Sequence, residues 1–559
     1  MSYRIIFAVW FWLLVFINPL FSNNQSVEYS ELMERYQKLK SNYNNCDLIS
    51  FGSTDSGEPL HLFLMNSSGE FYPEAIHKKT VLLIQNGIHA GEPCGIDASI
   101  EWAETLLKTN QVPENVVIGI IPVYNIGGMK NRGCCSRANQ NGPEFHGFRG
   151  NAKNLDLNRD YIKCDSRNTE AFYRLFHWLK PEIFVDTHTS NGADYQYTMT
   201  LLSTRKERLD AHLSNFLINK IEPYLYQKFD SLSPYVNVFG TTPNDGIKSF
   251  NDKIRFSTGY ASLFNCIGFT TEAHMWKPFN ERKKATIKFL EIMKNFMDSN
   301  YLEIIKNKKV ADSERSMGFE SVNLKIDTTK YDFIEFYSFK PEYRYSDILG
   351  RKQLYYNRSK KETIEIKYFN YYSKTDQIQV PKYYLVSGAW SRVIECLQLN
   401  NVKMIPISTD TNVFGVGTYI ENFSSVSSPY EGHYLHKEVQ TTDSLITMDF
   451  HKGDFLIPVN QKGWRYILNT LETNGEDSFF AWNFFDEITQ QKEWYSSYIF
   501  EPYASEMLEN DEELRLRYEA KLETDSSFKS GDYRLYWLYT QSPFYEPVHN
   551  RIPILKVYE

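Results

Sequence analysis

Between residues 81 and 300 the chain alternates dense apolar runs with amphipathic ones. "VLLIQ" (81–85), "VVIGIIPVYN" (116–125), "EIFVDTH" (182–188) and "CIGFTTE" (266–272) are short and rich in β-branched residues. That is the pattern of strands covered on both faces. Between them "GIDASIEWAETLLK" (95–108), "TEAFYRLFHWLK" (169–180), "RKERLDAHLSNFLINKIEPYLYQKF" (205–229) and "NERKKATIKFLEIMKNFM" (280–297) carry apolar residues at helical spacing. The alternation predicts an α/β fold around a central, at least partly parallel sheet flanked by helices. Such sheets collect ligand groups in the crevice beyond the carboxyl ends of their strands.

After about residue 305 the texture changes. "VNLKIDTTKYDFIEFYSFKPEYRY" and "ETIEIKYFNYYS" alternate aromatic and charged residues, as half-solvated antiparallel strands do. "AWSRVIECLQLNNVKMIPI" reads as a helix leading into a strand, and "SEMLENDEELRLRYEAKLETD" as one charged surface helix. Residues 310–559 are therefore expected to form a second, α+β domain. Trp482 and its Phe neighbours read as core. A chain of 559 residues is in any case long for a single core.

The first 22 residues differ from everything after them. Arg4 precedes an unbroken apolar run from Ile5 to Ile17, Asn18-Pro19 breaks it, and Ser22 supplies a small residue. This layout predicts a secretory signal peptide over 1–22, an exported (secreted or periplasmic) protein, and no stable membrane span once the signal is removed. Residues 23–45 read as one amphipathic helix packed on the domain that follows. A net charge of −8 with no basic stripe argues against nucleic acid as a partner. Seven cysteines without a CxxC pair argue against a cysteine zinc site. In an oxidising compartment Cys134 or Cys135 could close onto Cys164.

Chemistry enters at the strand ends. "NGIHAGEPCG" (86–95) places His89 and Glu92 three residues apart after the first strand, and His188 closes "FVDTH". Two His and one Glu are a common zinc set in hydrolases and leave a position for water. Glu272 ends another apolar run, where a buried carboxylate needs a partner or a task; beside a zinc-bound water it could move the proton. His274 competes for that role, while His177 and His212 lie on helices and read as structural. In "GFRGNAKNLDLNRDY" (147–161) an extended "NLDLNRD" would put Asp156, Asn158 and Asp160 on one face. Asp156 suits the carboxylate that orients His89. Arg149 and Arg159 could supply fixed positive charge to an oxyanion or a carboxylate.

His89-x-x-Glu92, "NIGG" (125–128), "RGNAKNLDLNRDY", His188 and "FTTE", in this order, resemble the zinc carboxypeptidases of peptidase family M14, over roughly half the chain. The resemblance implies a mixed central sheet over 23–305 and one Zn²⁺ per chain on His89, Glu92 and His188. It implies Glu272 as general base and acid, Arg149 at the oxyanion, Asp156 orienting His89, and Asn158 and Arg159 holding the free C-terminal carboxylate of a peptide substrate. Ser257, and more loosely Arg255, would fall in the pocket for the terminal side chain. "NIGG" stands where the family has Asn-Pro-Asp-Gly. The family's mobile Tyr has no match at its spacing, with Tyr260 and Tyr235 as the nearest candidates. The C-terminal half resembles a module of bacterial exported members. Alternatives are a zinc amidase or carboxypeptidase acting on cell-wall peptides, a non-catalytic binding protein, and a glycan-binding surface protein working through residues 310–559.

Overall fold

A computed structural model describes residues 25–315 and 318–559; the segment read as a signal peptide lies outside the described residues. Helix α1 (Tyr29–Asn42) leads into an eight-stranded sheet of β1 (Cys46–Ser53), β2 (Pro59–Met65), β3 (Thr80–Asn86), β4 (Val116–Ile121), β5 (Ile183–Thr189), β6 (Met199–Ser203), β7 (Leu232–Pro234) and β8 (Ile267–Ala273). The strand order is β1-β2-β4-β3-β5-β8-β6-β7. Strands β4, β3, β5 and β8 run parallel, β1 and β2 pair antiparallel with their neighbours, and β6 pairs antiparallel with β8 but parallel with β7. The sheet is mixed, as expected. Every residue of β3, β4 and β5 is buried, which is why those runs are continuously apolar instead of alternating.

Helices α2 (Cys94–Lys108), α3 (Arg167–Leu179) and α4 (Phe279–Ser313) cover the sheet. Ser166 caps α3 by accepting from Thr169 N. The helix expected over 205–229 runs without a break from Ala211 to Lys228, with a π-turn at Leu217–Ile221. Asp210 caps this helix, and Pro223, which has no N–H to donate, lies just after the π-turn. Helix α4 runs well past residue 305, with Asn300 non-helical inside it.

The C-terminal half contains a long hairpin, β9 (Asp332–Ser346) and β10 (Arg351–Phe369), whose last residues pair with Ile247–Lys248 of the first half. A six-stranded sheet follows, of Ile405–Pro406, Phe455–Pro458, β11 (Tyr383–Val386), Arg551–Val557, β12 (Thr411–Ser425) and β13 (His436–Phe450), in that spatial order. The charged helix expected over 505–525 is broken into Ser497–Asn510 and Glu512–Thr524, because Asp511 turns its side chain onto Leu514 N and starts a new helix. The two halves share one core. Phe172, Phe176 and Tyr260 belong to the same buried cluster as Val393, Tyr466 and Trp482. No described helix is long and apolar enough to cross a membrane.

Candidate active site

Strand β3 ends at Asn86, and a short loop carries His89 and Glu92 to the start of α2; Glu92 N donates to His89 O at 2.9 Å, closing the turn that puts both side chains on one side. His188 lies near the end of β5, with Glu272 its register partner on the parallel strand β8. Parallel pairing with β5 in the middle thus delivers all four groups to the carboxyl edge of the sheet. Ligand atoms of His89, Glu92 and His188 lie within 4.8 Å of one another, and all three residues are buried. Nδ1 of His89 and Nδ1 of His188 face the Glu92 carboxylate at 3.3 and 3.1 Å. Their outer nitrogens are held from behind. His89 Nε2 meets Asp156 Oδ1 at 3.0 Å, and His188 Nε2 meets Asp186 Oδ2 at 3.0 Å.

Two imidazoles turned inward on one carboxylate, each backed by another carboxylate, is a donor set that suits Zn²⁺. Burial would push the Glu92 carboxyl up, but the Arg137 guanidinium and both imidazoles outweigh it and hold it well below its ordinary range. Burial likewise opposes the charged forms of His188 and Asp156. Asp186 and Glu92 nonetheless raise His188 well above an ordinary imidazole, and His89, Arg159 and Arg149 keep Asp156 well below an ordinary carboxyl. Glu272 is different. Burial pushes its carboxyl up to about 7, with only partial relief from His188.

These groups open on a cleft of about 320 Å³ lined by His89, Glu92, Arg149, Asn158, Arg159, His188, Tyr235, Phe256, Ser257 and Glu272. Arg149 lays Nε and Nη2 on Asp156 Oδ2 at 3.1 and 2.7 Å and points Nη1 toward His89 Nδ1 at 3.2 Å. Asn158 Oδ1 accepts from Ser257 N at 3.1 Å, and Ser257 Oγ donates to Asp186 at 2.6 Å. Arg159 lies over the Phe256 ring at 4.6 Å.

Some expectations fail here. Residues 157–159 form a 3₁₀ turn capped by Asp156, not an extended segment, so Asp160 turns away from Asp156 and is buried among Ser166, Thr169 and Lys163. Arg255 is not in the cleft. It pairs with Asp477 at 2.6 Å beneath Tyr430 and Trp482, so burial partners from the second half claim its charge. His274 is tied to Asp194 at 3.1 Å, and Tyr260 is a core residue donating to Asn400 at 2.7 Å. Cys134 pairs with Cys135, leaving Cys164 a free buried thiol.

Two contributors, Asp186 and Arg137, were not foreseen. Asp186 had a signal, since a residue two before His188 on a strand shares its face. Arg137, whose Nη1 donates to Glu92 Oε1 at 2.8 Å, sits in a loop with no periodicity to mark it. Tyr235 lines the cleft although its spacing in the chain does not match the family's Tyr.

A mixed sheet that presents two imidazoles and a carboxylate at its carboxyl edge, with a further buried carboxyl alongside, is the framework of a metallohydrolase. Residues 32–259 match the family of zinc carboxypeptidases, peptidase family M14. That match covers a zinc carboxypeptidase domain in the first half of the chain and indicates a peptide hydrolase; the second half adds β-rich structure beyond it. Similar solved structures include a metallo-carboxypeptidase from Burkholderia cenocepacia (14% identity, 49% of this chain and 70% of that one, TM-score 0.36). A metallo-carboxypeptidase from Pseudomonas aeruginosa in complex with (2-guanidinoethylmercapto)succinic acid matches at 14% identity over 49% and 68%, TM-score 0.35. Carboxypeptidase A from Helicoverpa armigera matches at 13% over 52% and 75%, TM-score 0.36. No curated protein matches the chain.

Proposed function

We propose that the protein is an exported carboxypeptidase that hydrolyses the last peptide bond of peptides bearing a free C-terminal carboxylate. The observation that carries this reading is the meeting of His89, Glu92 and His188 within 4.8 Å, in a cleft that also holds Glu272 and Arg159. One Zn²⁺ on those three side chains would supply Lewis acidity to a water and to the scissile carbonyl. Asp156 and Asp186 hold the two imidazoles in the tautomer that presents Nδ1 as a ligand.

Glu272 accepts the proton of the attacking water and returns it to the departing amine; a carboxyl near 7 is well matched to both tasks at neutral pH. The Arg149 guanidinium donates to the carbonyl oxygen as negative charge grows there. Arg159, with the Asn158 amide fixed by Ser257 N, grips the terminal carboxylate and so restricts cleavage to chain ends. Export rests on the composition of residues 1–22. The test is a peptide library read by mass spectrometry. Single-residue trimming from the C-terminus, lost with a chelator and regained with Zn²⁺, is the expected result. Cleavage that ignores the chelator, or that proceeds equally on C-terminal amides, refutes the reading.

A further inference from the structure

The loop between β12 and β13, residues 426–435, reaches across to the first half of the chain. Its tip is a tight reversal in which Tyr430 N donates to His433 O at 2.8 Å and His433 N donates to Tyr430 O at 3.1 Å. The two residues between them, Glu431 and Gly432, have φ of 51° and 86°. Glycine takes that conformation freely, whereas a glutamate takes it at a cost. A strained side chain at a hairpin tip persists only where its surroundings over-determine it.

The surroundings are the "NLDLNRD" segment of the first half. Glu431 Oε2 accepts from Asp156 N at 2.7 Å, the Tyr430 hydroxyl accepts from Arg159 Nε at 3.0 Å, and His433 Nε2 meets Asp165 Oδ2 at 2.8 Å. The Tyr430 ring is itself stacked on buried Trp482, 6.1 Å away at 19°. Arg159 Nη1 donates to Asn158 O at 2.7 Å, so Nε and one face of the guanidinium are committed to the protein and Nη2 remains for a ligand. An arginine side chain has many rotamers, and holding Nε in place removes part of that freedom before any substrate arrives. Glu431 acts one step further back, on the backbone of the residue whose carboxylate meets His89.

We propose that Tyr430 and Glu431 are positioning residues through which the C-terminal half sets the active-site geometry. Tyr430 aims Arg159 at the substrate carboxylate, and Glu431 places Asp156 behind His89. The inference rests on the carboxypeptidase reading of Arg159. Neither residue lines the cleft, so both act through the residues they hold.

The test uses full-length Tyr430→Phe, Glu431→Ala and Glu431→Gln proteins with benzoyl-Gly-Phe and its C-terminal amide. Both probes are assayed for hydrolysis and, by calorimetry, for binding to metal-free protein. Tyr430→Phe keeps the stack on Trp482 and loses only the acceptor. It should raise KM and the dissociation constant for the acid about 5–10-fold, as part of the rotamer freedom of Arg159 is restored. It should leave kcat and the amide unchanged. Glu431→Ala should weaken zinc retention against a chelator by about tenfold, and Glu431→Gln, which keeps an acceptor, should restore it. A Tyr430→Phe protein with the wild-type preference for acid over amide overturns the proposal, whether or not its melting temperature falls, as does wild-type zinc retention in Glu431→Ala. Wild-type protein that does not itself distinguish acid from amide would instead bring down the carboxylate reading of Arg159, and this inference with it.

Discussion

Gly95, the second residue of α2, packs directly on strand β5. A Cβ there would stand 1.9 Å from Thr187 Oγ1, 2.4 Å from Thr187 Cβ and 2.9 Å from Asn86 Oδ1. Rotating Thr187 could move its hydroxyl but not its Cβ. Ordinary contact at about 3.5 Å therefore requires helix and strand to part by roughly 1 Å. Glu92 lies three residues before Gly95, and His188 is the neighbour of Thr187. A parting of that size exceeds the tolerance of about 0.2 Å that a zinc site allows. Gly95→Ala should cost about 1–3 kcal/mol of stability by overpacking and weaken zinc binding by at least about tenfold. Zinc competition with a chelator and thermal unfolding measure the two effects. Thr187→Gly added to Gly95→Ala removes the obstructing Cβ and should recover part of both, with a coupling of about 1 kcal/mol or more. Zinc affinity within about twofold of wild type and an unchanged melting temperature in Gly95→Ala would refute the claim that this contact spaces the ligands.

Glu272→Gln should retain zinc while turnover falls by about 10²–10⁴-fold; near-normal turnover removes Glu272 from the proton-transfer role. Burial pushes the Asp97 carboxyl up to about 7. Its folded value lies above the unfolded one, so the penalty is absent below about pH 4, builds as pH rises and is complete above about pH 7. Asp97→Asn, which can still accept from Val27 N, should gain stability over wild type across that window, by at most about 4 kcal/mol. A stability difference that does not change with pH contradicts this. A chain ending at residue 313 exposes Phe172, Phe176 and Tyr260 where Val393, Tyr466 and Trp482 now cover them. It should lose its cooperative melt, and a native-like melt would show the first half to be independent.

The strands and most of the helices of the first half could be read from periodicity, because burial on both faces forces continuous apolar runs and one-sided burial forces helical spacing. His89, Glu92, His188 and Glu272 could be singled out for a related reason: polar groups that end apolar strands are conspicuous. Other features answer to contacts far apart in the chain. The π-turn at Leu217–Ile221, the 3₁₀ turn after Asp156 and the diversion of Arg255 to Asp477 depend on what packs against them. So does the seating of Tyr430 and Glu431 on a segment some 270 residues earlier. Periodicity reports which face of an element is buried and is silent on the partner that buries it. Local order along this chain thus settled which residues are available for chemistry, while the sheet order and the shared core chose which of them meet.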